Sequence, residues 1–301
     1  TWQSGLEEIR VRVGQPIEFC YGSYNCYLTG KEKEQTFCDE KDYRRWEKDL
    51  YHASEADLRE MLNYISNYSL YAYKEEIKQG YITIEGGHRV GVAGQTVLVD
   101  GKIAGISPIM FLNIRIAHEK CGCARKILPL IRQRDSIYNT LILSMPGAGK
   151  TTLLRDSIRA LSNGEAYGIR LKVCVVDERS EIAACYKGIP QNDVGDCTDV
   201  MDMIPKSKGI MMMLRAMSPR VIAVDEINRN EDIAAIRSAR SCGAALLCTM
   251  HSDENSFEQA VVAEKIFERY IQLTNDRKCR VYDSELHLLY EQNLQLNEED
   301  I

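Results

Sequence analysis

The sequence has no excess of positive charge. Its 301 residues carry 38 Lys and Arg against 44 Asp and Glu, a formal net charge of −6 at pH 7. A general nucleic-acid binder is usually basic, so this balance argues against that class and leaves only a local basic groove open. No run nears the roughly 18 apolar residues of a membrane-spanning helix, and no stretch reads as a signal peptide. The chain starts at Thr1 rather than Met, so its first residue is not read as a natural start. The 11 cysteines fit free thiols in a reducing, cytosolic setting. Their only close pair, Cys121-Gly122-Cys123, lacks the second ligand pair of a zinc site, so it reads as thiols in a loop or domain junction. No internal repeat or low-complexity segment is present.

What is there is ordinary for a folded soluble protein: 45% hydrophobic and 27% charged residues. The length is about twice that of a typical domain, which predicts two domains. Residues 6–19 alternate, with Ile9, Val11 and Val13 on one side and Arg10 and Arg12 on the other, predicting one half-buried strand. Ser54 is a predicted N-cap, with Asp57 three residues on. Leu58, Met61, Leu62 and Ile65 then recur at helical spacing. Short β-type runs follow from Gly80 to Ile106, broken at Gly86-Gly87 and at Asp100-Gly101, a hairpin signal. Residues 1–130 therefore read as a small α+β domain with antiparallel strands.

Residues 131–301 read differently. "YNTLILSM" is a continuous apolar strand and "TTLLRDSIRALS" a helix. "LKVCVVDE" and "RVIAVDEI" are apolar runs ending in acids, and "AALLCTMHS" carries Thr249 and His251 near its end. Buried strands alternating with helices predict an α/β fold with a parallel sheet and right-handed crossovers. The polar residues fall at the carboxyl ends of these strands, where open α/β sheets bind ligands. In "GIMMMLRAMSP", Met212, Met213, Ala216 and Met217 read as a buried helix face rather than a Met-rich binding surface.

"SMPGAGKTT", residues 144–152, matches the phosphate-loop pattern G-x-x-x-x-G-K-[ST] except at its first position, Ser144. Pro146, Gly147, Ala148, Gly149, Lys150, Thr151 and Thr152 are the candidate nucleotide-binding residues. Glycines let backbone N–H groups turn toward phosphate oxygens, and a helix starting near Lys150 aims its positive end at the same anion. Lys150 would reach the β and γ phosphates of ATP, and the Thr151 hydroxyl would ligate Mg²⁺. Ser144 is compatible with this if its backbone stays in a region open to any residue. The plainer alternative is a Gly-rich turn with a chance lysine, and the strand-loop-helix context argues against it.

Asp225 and Glu226 end an apolar strand. Beside a phosphate loop, the first acid would hold Mg²⁺ and the second would orient or deprotonate the attacking water. Asp177, Glu178 and Glu181 form either a second acid set or a surface turn. His251 is either a structural histidine or a group near the γ-phosphate.

Together the loop, "VVDERSE", "VIAVDEI" and "CTMHS" occur in the order of Walker A, Asp box, Walker B and His box. This order resembles that of the type II/IV secretion ATPases. Further stretches, among them "LEEIRVRVGQP", "GYITIEGGHRVGVAG", "LNIRIA" and "MMMLRAMSPRVIAVDEI", resemble the branch of that family serving endospore formation. The resemblance implies a RecA-like core with a parallel-rich sheet, preceded by a smaller α+β domain. It implies an ATP-hydrolysing hexamer using Mg²⁺, cytoplasmic in the mother cell and peripheral to the membrane through channel proteins of the sporulation complex; the charge balance separately predicts no nucleic-acid partner. Carried over by residue, Lys150 and Thr151 match Walker A, and Asp177 and Glu178 match the Asp-box acids. Glu226 matches the Walker B glutamate, and His251 the His-box histidine. This puts Glu226, Glu178 and His251 in catalytic roles, and Thr151, Asp225 and Asp177 around the metal. Asp225 stands where many of these ATPases have glycine. Arg115 in "LNIRIA" is the best match for an arginine that reaches the nucleotide from the first domain, with Arg89 second; Arg229 matches one after Walker B. Two other readings are a nucleotide-gated assembly scaffold with little turnover and a nucleic-acid-dependent ATPase, which the charge disfavours.

Overall fold

The computed structural model describes residues 5–22, 24–30, 36–165, 167–227, 230–252, 266–276 and 278–293. The chain divides into two compact units, Thr1–Glu119 and Lys120–Ile301.

The first unit is built on an antiparallel sheet. The alternating segment 6–19 is not one strand but two, β1 (Glu8–Arg12) and β2 (Glu18–Tyr21), paired antiparallel. The turn between them uses Gly14 at φ 76°, a conformation that reverses the chain where a single strand was expected. β3 (Tyr24–Thr29), β4 (Thr36–Asp39) and the short helix α1 (Tyr43–Trp46) follow. Helix α2 (Glu55–Ile65) starts at the expected cap: the Ser54 hydroxyl accepts from Asp57 N at 3.2 Å, and the Asp57 carboxylate accepts from Ser54 N at 2.8 Å. This capping box satisfies two end N–H groups, and α2 buries Leu58 and Leu62. After α3 (Lys74–Lys78) come β5 (Tyr81–Thr83), β6 (Arg89–Val99) and β7 (Lys102–Arg115). Asp100 (φ 51°) and Gly101 (φ 73°) form the hairpin turn predicted from their sequence. The strand order is β4-β3-β2-β1-β7-β6-β5.

The second unit is a mixed sheet with helices on both faces. Its elements are α4 (Leu128–Ile131), β8 (Thr140–Ser144), α5 (Lys150–Asn163), β9 (Val173–Asp177), β10 (Thr198–Asp202), α6 (Lys206–Ala216), β11 (Val221–Val224), α7 (Asn230–Ser241), β12 (Ala245–His251), β13 (Arg269–Leu273), β14 (Lys278–Tyr282) and β15 (Leu288–Asn293). The order is β10-β9-β11-β12-β8-β13-β14-β15, parallel from β10 through β13 and antiparallel beyond. The α/β fold with a parallel-rich sheet is thus observed. β8, β9 and β11 are buried at every position, as strands covered on both faces must be. One core layer packs Leu153, Leu154, Ile158 and Leu161 of α5 against the sheet; the other packs Ile210 and Met213 of α6 with Ile236 of α7.

Two sequence readings differ from this picture. The segment 120–130, assigned above to the first domain, contributes Ala124, Ile127 and Leu128 to the core around α5. On α6, Met213 is buried and Met217 half-buried, but Met212 is 51% exposed and Ala216 is also exposed. Close approach at Gly209, where an added Cβ would lie 2.4 Å from Val176 Cγ1, turns the 209–210–213 stripe inward instead. Among the described residues, no helix is long and apolar enough to cross a membrane.

Candidate functional site in the second unit

The site begins where β8 ends. Gly147 (φ 77°) and Gly149 (φ 94°) both take left-handed conformations, which glycine adopts at little cost. An added Cβ would meet nothing within 4 Å at either, so backbone conformation rather than space requires glycine here. Gly149 is the N-cap of α5. Ser144 has an ordinary backbone: it is absent from the left-handed residues, and its hydroxyl donates to Met145 O at 2.8 Å. The condition set above for a residue other than glycine is met.

Lys150 is 5% exposed and folds back over the loop. Its ammonium donates to Ser144 O (3.2 Å), Ser144 Oγ (3.3 Å) and Met145 O (3.1 Å), and lies 2.9 Å from His251 Nδ1. Burial pulls its pKa below the ordinary lysine value, and the nearby charges of Asp225 and Glu226 oppose that shift without cancelling it.

Sheet order places the remaining groups. β8 neighbours β12, which neighbours β11, which neighbours β9, all parallel. Their carboxyl ends therefore carry Ser144, His251, Asp225 and Asp177 side by side. The Thr151 hydroxyl donates to Asp225 Oδ2 at 2.9 Å. Thr249, fully buried, donates its hydroxyl to Asp225 Oδ1 and accepts from Glu226 N at 2.7 Å. His251 Nε2 lies 2.7 Å from Glu226 Oε1, and Arg179 donates to Glu226 Oε2 at 3.3 Å. Glu226 itself sits at φ 52°, a strained conformation for a residue with a Cβ. A continuous chain thus runs Lys150–His251–Glu226, with Thr151–Asp225–Thr249 beside it.

Thr249 was visible in the sequence without a role. The signal was its spacing: residues i and i+2 on a strand face the same way, so Thr249 shares a face with His251. Arg155 carries no signal in the sequence; it donates to the carbonyls of Ile182 and Glu181 at 2.6 Å each, tying α5 to the turn after β9. No periodicity announces such a contact.

The Asp box differs from expectation at Asp177. Its Oδ1 accepts from Glu181 N and its Oδ2 from Ile182 N and Ala183 N, all at 2.9 Å, and it is 2% exposed. The carboxylate closes its own turn instead of facing a metal. Burial pushes its pKa up, and the three N–H donors only partly offset this. Ser180 (φ 54°) continues the turn, donating to Asp202 Oδ2 at 3.2 Å. Glu178 is ion-paired with Lys206, which is 7% exposed at the start of α6. "VVDERSE" is therefore an internally bonded turn in which Asp177 and Ser180 are buried, Glu178 and Glu181 half-buried and Arg179 exposed.

Arg115 and Arg89 belong to the first unit, where they are register partners on β7 and β6. Arg115 is exposed, and the Arg89 guanidinium lies 3.7 Å from the Tyr81 ring centroid. Arg229 lies outside the described residues.

Comparison with known proteins gives consistent results. A family model described as sporulation stage III, protein AA, matches residues 2–285. Stage III sporulation protein AA of Bacillus subtilis (strain 168) is 38% identical over 294 residues, covering 94% of this chain and 89% of that protein. The protein SEEDLING PLASTID DEVELOPMENT 1 of Arabidopsis thaliana is 27% identical over 145 residues, covering 48% of this chain and 20% of its own length. Among solved structures, the Legionella pneumophila ATPase DotB superposes with a TM-score of 0.53 at 15% identity, covering 98% of this chain and 79% of that one. The pilus retraction motor PilT with bound ADP gives 0.54 at 13% identity, covering 89% and 74%. The fold is that of the RecA-like secretion ATPases.

Proposed function

The chain belongs to the sporulation stage III protein AA family, and from that premise we propose that it is a Mg²⁺-dependent ATP-hydrolysing motor of the secretion type, supporting the mother cell–forespore channel. The observation that carries this reading is the Thr151–Asp225 hydrogen bond at 2.9 Å, set beside the Lys150–His251–Glu226 chain. A hydroxyl and a carboxylate oxygen side by side are the hard donors that Mg²⁺ prefers. Thr151 and Asp225 would hold the ion, which when bound neutralises charge on the β and γ phosphate oxygens.

The protein's own groups divide the remaining work. Backbone N–H groups at Gly147–Thr151 and the start of α5 bind the phosphates. Lys150 exchanges the Ser144 and Met145 carbonyls for phosphate oxygens, so the loop carbonyls hold it in place beforehand. Glu226 orients the attacking water and accepts its proton, held by His251 on one oxygen and Arg179 on the other. Thr249 fixes Asp225 and Glu226 relative to each other. Glu178, ion-paired with Lys206, positions the Asp-box turn, and Arg115 is the candidate for stabilising transition-state charge, in cis or from a neighbouring copy. A homo-hexamer at membrane-embedded channel proteins, cytoplasmic and peripheral, completes the proposal.

The alternative is a nucleotide-gated scaffold with the same binding site and little turnover. Steady-state ATPase assays with Lys150→Ala and Glu226→Gln separate the two. The motor predicts no turnover in the first, and retained ATP binding with at least about a hundredfold slower turnover in the second. A parent protein that binds Mg-ATP and assembles without measurable turnover selects the scaffold, and turnover unchanged in Lys150→Ala refutes the site.

A further inference from the structure

The first unit carries an arm. β1 pairs with β7 only over Phe111–Arg115, and β5 pairs with β6 only over Arg89–Gly91. Beyond those residues β6 and β7 pair only with each other among the described strands, out to Val99 and Lys102. A two-stranded ribbon is marginal in water by itself. This one is also apolar at its end: Leu98 is 61% exposed, Val99 58% and Ile103 51%. Leu98 and Ile103 are directly opposed and so share one face.

At the base of the same arm is a groove, lined by Leu58, Leu62 and Leu70 on one side and by Ile106, Pro108 and Met110 of β7 on the other. Glu55 and Arg59 of α2 stand on its rim. They are four residues apart on the helix, hence neighbours on its surface. The arm tip presents Asp100 and Lys102, two residues apart across the turn. Among the described residues none of these four charges has an ion-pair partner. The arm cannot fill its own groove. Ile106 is part of the groove wall, and Ile103, paired with Leu98, lies three residues farther out, about 10 Å along the strand.

We propose that the arm tip docks into this groove on a second copy of the chain. Leu98 and Ile103 enter between α2 and β7, while Asp100 meets Arg59 and Lys102 meets Glu55 of that copy. An apolar projection complementary to a pocket elsewhere on the same molecule makes a head-to-tail contact, which closes into a ring when the rotation permits. The contact concerns the first unit alone and does not rest on the nucleotide chemistry proposed above.

The test is self-association of the full-length chain by sedimentation velocity across a concentration series, with and without Mg-ATP. The parent associates. Leu98→Asp with Ile103→Asp, at exposed positions that leave folding intact by circular dichroism, weakens association at least about tenfold. Asp100→Arg and Arg59→Asp each weaken it, and the two combined in one chain restore it to within about threefold of the parent. A parent that stays monomeric throughout, arm variants that associate like the parent, or a combined variant that shows no recovery overturns the proposal. So does binding to anionic phospholipid vesicles that the Leu98/Ile103 variant loses while self-association is unchanged, which would assign the arm to a lipid surface.

Discussion

Thr249 is the residue on which the geometry of the two strand-end acids depends, and two substitutions separate its hydrogen bonds from its packing. Thr249→Val keeps the shape of the side chain and removes the hydroxyl. It takes one donor from Asp225 and one acceptor from Glu226 N. A hydrogen bond to a charged group contributes about 1.5–3 kcal/mol, and stranding a buried N–H costs about 1–3 kcal/mol. Part of each is recovered by relaxation of Glu226, which is already strained at φ 52°. The net loss expected is about 3 kcal/mol. Thr249→Ser keeps both hydrogen bonds and removes one buried methyl, a loss of about 1 kcal/mol. Both tryptophans, Trp2 and Trp46, lie in the first unit, so intrinsic tryptophan fluorescence reports the wrong half of the molecule. The measurement is native-state hydrogen exchange of the β11 and β12 amides, which opens through the unit concerned. The predicted order is parent, then Ser, then Val. If Ser is as destabilised as Val, or more so, packing rather than hydrogen bonding governs position 249, and the positioning role given to it is refuted.

Asp156, 2% exposed, accepts from Gly122 N and Ala124 N and is ion-paired with Arg159 at 2.8 Å. Burial raises its pKa, but these donors outweigh burial and hold it below the ordinary value. Its contribution to stability is therefore present above the unfolded value of about 3.9 and is lost as pH falls through the lower folded value. Asp156→Asn should cost about 3 kcal/mol at pH 7, and the gap should narrow below about pH 4; urea titrations giving a gap that widens on acidification contradict this. Ser144→Gly removes one of four Lys150 contacts and keeps the others, so ADP affinity in a fluorescent-analogue titration should change by no more than about twofold. A tenfold change would show that the hydroxyl, not the backbone, sets the loop.

The sequence by itself determined everything that repeats locally. The capping box at Ser54, the Asp100-Gly101 hairpin, the apolar runs that form strands and the loop glycines are each fixed by near neighbours, and each is where the pattern put it. The order of the four stations was legible too, because each polar group directly follows or ends an apolar strand. What the tertiary structure decided depends on residues far apart in the chain. Asp177 and Asp225 read alike as acids at strand ends. One is turned into its own backbone, while the other faces Thr151 and Thr249 across two neighbouring elements. The placement of segment 120–130 and the exposed face of α6 were likewise settled by what packs against them. Periodicity states that a face is apolar; only the neighbouring elements determine which face is covered, and whether a strand-end carboxylate bonds its own turn or side chains from other elements.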